Sequence, residues 1–235
     1  PETGELITKE RLEIKGLGKA KYILKPGGTL GDLYTNSDLV YNDDGYIEVD
    51  KNGNVAVKDD YMDDIYLGSV FPKYNLAWRN DFNYKGINLG VLFTARIGGI
   101  CYSATQANMD LYGVSEASAA ARDAGGVMIN GRDMIDAQKW YQVIGSQSGL
   151  PQYYTYSATN VRLQELSLGY TLPSKWFRDK MRMTVSFVGR NLWMIYCKAP
   201  FDPELTASTG SYLQGIDYFM QPSLRSLGFN VQLKF

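Results

Sequence analysis

Histidine is absent from the 235-residue chain, and cysteine occurs only twice. Without an imidazole there can be no Ser-His-Asp triad, no Cys-His pair and no His-ligated zinc site, which removes most hydrolase readings. Cys101 and Cys197 are far apart and in no metal-ligand spacing, so no cofactor or metal is implied. Neither sign of charge is in excess. The 24 basic and 25 acidic residues leave a net charge of −1, which argues against nucleic acid as a partner held by bulk charge. No run of about 18 apolar residues occurs, and this excludes a helical membrane protein. A mean hydropathy of −0.26 looks superficially soluble, but a membrane-crossing β-strand hides its apolar residues at every second position and keeps that average low. The chain starts at Pro1, with neither an initiator methionine nor a signal peptide, and reads as a piece of something longer.

What is present points to strands. The 18 tyrosines favour an all-β chain, because tyrosine suits pleated surfaces and the water-lipid boundary. Residues 72–84 alternate Tyr74, Leu76, Trp78, Phe82 and Tyr84 with Lys73, Asn75, Arg79, Asp81 and Asn83, Asn80 being the one lapse. In 86–99 the apolar set is Ile87, Leu89, Val91, Phe93, Ala95 and Ile97, with Leu92 as the lapse. Leu166, Leu168, Tyr170 and Leu172 form a third set, Met181, Met183, Val185, Phe187 and Trp193 a fourth. Leu227, Phe229, Val231, Leu233 and Phe235 close the chain as a fifth. Each run is near the 9 to 11 residues that a tilted strand needs to cross a bilayer.

The connections sharpen this reading. Tyr84 to Gly86 is a tight turn, Ile100 to Ser157 is very long, Pro173 to Lys180 is short, and Met194 to Pro222 is long again. Short and long connections alternate in a transmembrane barrel, where one side carries turns and the other carries functional loops. Tyr74, Tyr84, Trp176, Phe177, Trp193 and Phe235 fall where aromatic girdles belong. A soluble β-sandwich carbohydrate-binding module is the alternative, since its strands would alternate in the same way.

Several local patterns invite chemistry and are better read as structure. Asp50, Asn52 and Asn54 stand at alternate positions as in a calcium loop, but Gly53 falls at the wrong place and no bidentate Glu follows, so two Asp-Gly and Asn-Gly turns are expected. The pairs Asp59 and Asp60, and Asp63 and Asp64, are adjacent in sequence and cannot flank one glycosidic bond. Residues 115–126 read as a short helix capped by Ser115 and stopped at Gly125. Trp140, Tyr141, Tyr153, Tyr154 and Tyr156 share the longest loop, where stacking on a ligand competes with packing of the loop itself.

The stretch VRLQELSLGYTLP at 161–173, VSFVGRNLW at 185–193, FDPE at 201–204, GIDY at 215–218 and the closing strand resemble, in order and spacing, the C-terminal part of SusC-like TonB-dependent outer-membrane transporters. PGGTLGDLY at 26–34 and PKYNLAWRNDFNYKGINLGVLF at 72–93 are similar to the same family. The resemblance implies an all-β chain of about six antiparallel strands, one near Ala20 to Tyr34, from a barrel of 22 strands with long extracellular loops. It implies a non-enzymatic nutrient importer, with a periplasmic C-terminus. Its implied partners are a plug and the remaining barrel strands, a SusD-like lipoprotein, TonB, outer-membrane lipid, and an oligosaccharide or peptide substrate. A TonB-dependent siderophore transporter would share the barrel without the lid. Asp202, Glu204, Asp217 and Tyr218 then join the loop aromatics as candidates for ligand or lid contact. Because a sheet in hydrocarbon cannot leave an edge unpaired, these strands are expected to need further polypeptide beside them.

Overall fold

The computed structural model describes residues 11–59, 64–178, 180–204 and 213–234. The chain divides into two units, each assembled from separated segments. One comprises Pro72–Gly99, Ser157–Leu205 and Gln221–Phe235; the other comprises Pro1–Phe71, Ile100–Tyr156 and Thr206–Met220.

The first of these is a five-stranded antiparallel meander. Its strands are β1 (Tyr74–Tyr84), β2 (Ile87–Ile97), β3 (Asn160–Thr171), β4 (Arg182–Cys197) and β5 (Ser226–Lys234), and each pairs with its neighbour in sequence. At 9 to 16 residues, all five are long enough to cross a bilayer when tilted. The β1–β2 connection is a two-residue turn in which Lys85 and Gly86 both take positive φ, 47° and 86°. That geometry matches the strand twist and lets Tyr84 pair directly with Ile87. One feature of β3 was not visible in the alternation. Leu163 pairs with Phe93 and Glu165 with Leu92, so Gln164 is an extra residue that bulges the strand and shifts its apolar set from odd to even positions.

The second unit is an α+β assembly with a conventional apolar core. Four short strands, Leu12–Leu17, Ala20–Leu24, Asp32–Thr35 and Ile65–Ser69, form one antiparallel sheet in that order. The sixth strand anticipated near Ala20 to Tyr34 is therefore present as two short strands of this sheet. At five and four residues they are too short to span a membrane. Helices α1 (Ala104–Leu111), α2 (Glu116–Asp123) and α3 (Ala137–Ile144) are capped by Ser103, Ser115 and Asp136, whose side chains accept from the N–H groups of Gln106, Ser118 and Lys139. The capped helix anticipated at 115–126 is α2. No helix among the described residues is long and apolar enough to cross a membrane.

This core gathers residues from distant parts of the chain. Tyr22, Leu33, Leu39, Tyr102, Leu150 and Ile216 are all fully buried in it. Ile216 and Asp217 reach it as a two-residue strand parallel to Tyr102 and Ser103. The Asp-Gly and Asn-Gly stretches form twin turns. Asn42 Oδ1 accepts from the N–H groups of Asp44 and Tyr46, and Asp50 Oδ1 accepts from those of Asn52 and Asn54.

Candidate functional site

The two faces of the five-stranded sheet differ in kind. Phe82, Leu89, Leu168, Phe187 and Phe229 stand in one cross-strand row, and Tyr84, Ile87, Tyr170, Val185 and Val231 in the next. Trp78, Phe93, Leu163 and Trp193 form a third. These side chains are not covered within the unit: Phe229 is 81% exposed and Trp193 63%. Stacking of Trp78 on Phe93 at 5.6 Å and of Phe187 edge-on to Phe229 at 5.5 Å knits the apolar face laterally. Tyr74 and Tyr84 lie at its two ends on β1, as girdle residues would. Phe235 lies outside the described residues.

The opposite face is polar and carries the charged residues of the strands. Across it run Asn83, Asn88, Gly169, Ser186 and Asn230 in one row and Arg79, Leu92, Glu165, Arg190 and Ser226 in another. Six cations, Arg79, Arg96, Arg162, Arg182, Arg190 and Lys234, share this face with two strand carboxylates, Asp81 and Glu165. Glu165 bridges Arg190 at 3.0 Å and Arg79 at 3.6 Å, while Arg79 also pairs with Asp81 at 2.9 Å. The balance of the face is positive, although the chain as a whole carries −1.

At one end of this face a buried knot forms around Arg162, whose side chain is 3% exposed. Its Nη2 donates to Asp202 Oδ1 at 2.8 Å, its Nη1 to Asn191 Oδ1 at 3.2 Å, and its Nε to Asn160 Oδ1 at 3.4 Å. Glu204 completes the ion-paired set at 3.4 Å. Ser223 donates to Asp202 Oδ2 and receives a bond from Asn191 Nδ2. Burial alone would raise the Asp202 pKa, but hydrogen bonds from Arg162, Ser223 and the Glu204 N–H outweigh it and hold the carboxyl below its usual range. Arg162, Asn191, Asp202, Glu204 and Ser223 line a cavity of about 400 Å³. The knot thus ties both ends of the long 198–225 connection to β3 and β4.

Two of the anticipated residues, Asp202 and Glu204, meet here. The other seven lie in the α+β unit and do not form one site. Trp140 and Tyr154 are 7% and 2% exposed members of its core, so neither offers a ring face for stacking. Trp140 meets Tyr153 edge-on at 5.9 Å. Tyr141 and Tyr156 are half-buried against the same core. Asp217 is buried and accepts from Ser103 Oγ at 2.7 Å, which positions the α1 cap. Tyr218 remains 43% exposed beside Phe219. Arg162, Asn191 and Ser223 were not anticipated, because each reads locally as one polar position of an alternating strand or loop. No group of three or more His, Cys, Asp or Glu side chains among the described residues could hold a metal, and neither cysteine is in a disulfide.

No family model matches the chain. Over 198 residues it is 23% identical to the TonB-dependent receptor P3 of Formosa agariphila, a match covering 81% of this chain and 19% of that protein. Among solved structures it superposes on a chain of the RagAB peptide importer in the open-open state, with a TM-score of 0.62, 15% identity, and coverage of 99% of this chain and 25% of that one. A second RagAB peptide transporter structure gives a TM-score of 0.57 at 17% identity, covering 98% of this chain and 25% of that chain. The chain thus spans about a fifth of the curated relative, at 19%, and about a quarter of the solved ones, at 25%. By sequence it is a relative of a TonB-dependent receptor and by fold it matches part of the RagAB importer, which bears out its resemblance to SusC-like TonB-dependent transporters.

Proposed function

We propose that the five-stranded sheet is a segment of the wall of an outer-membrane barrel that imports nutrients, drawing energy through TonB and working with a SusD-like surface lipoprotein. The observation that carries this reading is the division of the sheet into an exposed apolar face free of charge and an opposite face bearing the strand arginines and carboxylates. The first suits acyl chains and the second a wet lumen. A β-sandwich would cover such apolar rows with a second sheet, and within this unit they stay exposed. Further barrel strands would flank β1 and β5, and a plug would occlude the lumen they enclose. The likeness to a peptide importer favours peptide over oligosaccharide as cargo, and the reading assigns no catalytic step to any residue.

On this reading the Lys85–Gly86 turn, the 173–180 turn and the C-terminus face the periplasm, while residues 100–157 and 195–222 face outward. Single cysteines at Ser174 and at exposed Met128, in a background lacking Cys101 and Cys197, test it. A membrane-impermeant maleimide on intact cells is expected to label position 128 and spare 174. The reverse pattern would overturn the orientation, and labelling at both without membrane association would overturn the barrel. A siderophore transporter is distinguished by uptake that survives loss of the lipoprotein partner.

A further inference from the structure

Helices α1, α2 and α3 and the Tyr112–Gly113 connection line a partly open cleft of about 160 Å³ that is remote from the Arg162 knot in sequence and unused by the barrel reading. Its lining includes Asp110, Ser118, Arg122, Gln138 and Tyr141. Asp110 is 4% exposed. It accepts from Gln106 Nε2 at 3.0 Å and from Ser115 Oγ, both uncharged donors, and no cation among the described residues lies within ion-pair distance of it. It also stands in the last turn of α1, where the helix dipole disfavours a negative charge and no basic residue compensates. The nearby N-terminus of α2, reached through Ser115, supplies at most about half a positive charge. A buried carboxylate without a full counter-charge is costly.

Arg122 lines the same cleft, in the last turn of α2. It has no carboxylate partner among the described residues, and its Nη1 donates instead to the carbonyl of Gly113 at 2.6 Å. Gly113 is fitted to this seat: at φ +66° a side chain would be strained, and its Cβ would lie 2.7 Å from Arg122 Nη1. Opposite charges therefore line one small space without pairing with each other. Burial and the Asp110 charge together raise the pKa of the Tyr141 hydroxyl, which keeps it a neutral donor there.

We infer that this cleft binds a free α-amino acid with a small side chain, its ammonium group against Asp110 and its carboxylate toward Arg122. The volume of about 160 Å³, about five waters at about 30 Å³ each, has room for an amino acid with a small side chain such as glycine or alanine. The charge pattern is selective. A peptide end offers only one of the two charges, so this site separates a free amino acid from the peptide cargo considered above, and it does not depend on the barrel reading.

Calorimetric titration of the intact protein in detergent with glycine tests the assignment, with N-acetylglycine and glycinamide as probes lacking one charge each. Glycine is expected to bind, and each capped probe to bind at least tenfold more weakly. Asp110→Asn and Arg122→Gln should each weaken glycine binding at least tenfold with unchanged circular dichroism. Should Asp110→Asn fail to fold, the exposed Arg122→Gln variant and the two capped probes still decide. Absence of glycine binding to the unmodified protein, or a loss confined to one charge only, overturns the proposal.

Discussion

Arg162 is a single side chain on which a whole loop depends. With its guanidinium 3% exposed and Asp202 9% exposed, Arg162→Ala leaves a buried carboxylate without its cation and is expected to cost about 3–5 kcal/mol, read by thermal or denaturant unfolding in detergent. Because the Asp202 pKa is depressed in the folded protein, its contribution is present above the ordinary carboxylate value of about 3.9 and lost as pH falls through the lower folded value. Asp202→Asn should accordingly flatten the acid limb of a stability-versus-pH curve, and a curve unchanged by that variant would contradict the assignment. Phe219 makes the opposite case. It is a bulky residue at φ +51°, 60% exposed, with its N–H held by Thr105 Oγ1 at 2.6 Å. Phe219→Gly should therefore stabilise by about 1 kcal/mol by removing left-handed strain. At this scale the sequence was partly legible. FDPE marked Asp202, but Arg162 is 40 positions away, and nothing local distinguishes it from any polar residue of an alternating strand. The loop aromatics left stacking and packing both open for a related reason, since a tyrosine or tryptophan at a ligand face and one in a core have the same local sequence.

The strands were the most legible elements, because a period of two survives wherever one face is apolar. The bulges escaped, at Gln164 of β3 against β2 and at Ile195 of β4 against Val161 and Arg162, since an inserted residue shows itself only through its pairing. The sharpest test of the faces is on β5. Val231 pairs with Val185 on the apolar side and Gln232 with Thr184 on the polar side. Val231→Arg is expected to cost about 2–4 kcal/mol near mid-bilayer, and Gln232→Arg close to nothing, in a lipid-based refolding assay. Equal costs at these neighbours would defeat the two-faced reading. The tight turn is equally specific. Gly86 sits at φ +86°, with the position of a Cβ only 2.9 Å from the Thr171 carbonyl oxygen, so Gly86→Val should lose at least about 1–2 kcal/mol.

For the molecule as a whole, β1 and β5 each have one edge without a ladder partner among the described residues. In hydrocarbon each unpaired backbone group costs several kcal/mol, so amide exchange at Leu76 to Phe82 and Phe229 to Leu233 should be slow in the intact protein in lipid. Exchange as fast as in an exposed loop would mean these edges are not barrel seams. The α+β unit was the least legible part. Its strands are two to six residues long and its core is assembled across long separations, so no window of sequence contains enough of it to be recognised. That assembly has a consequence for biogenesis. Ile216 fills the core from a strand laid against Tyr102, so a ribosome must have passed residue 216 before this unit can close. Until then the nascent chain lacks one fully buried side chain and one of the two strands that flank Ile100–Ser103, so this unit stays open longer during synthesis than one built from a single continuous stretch.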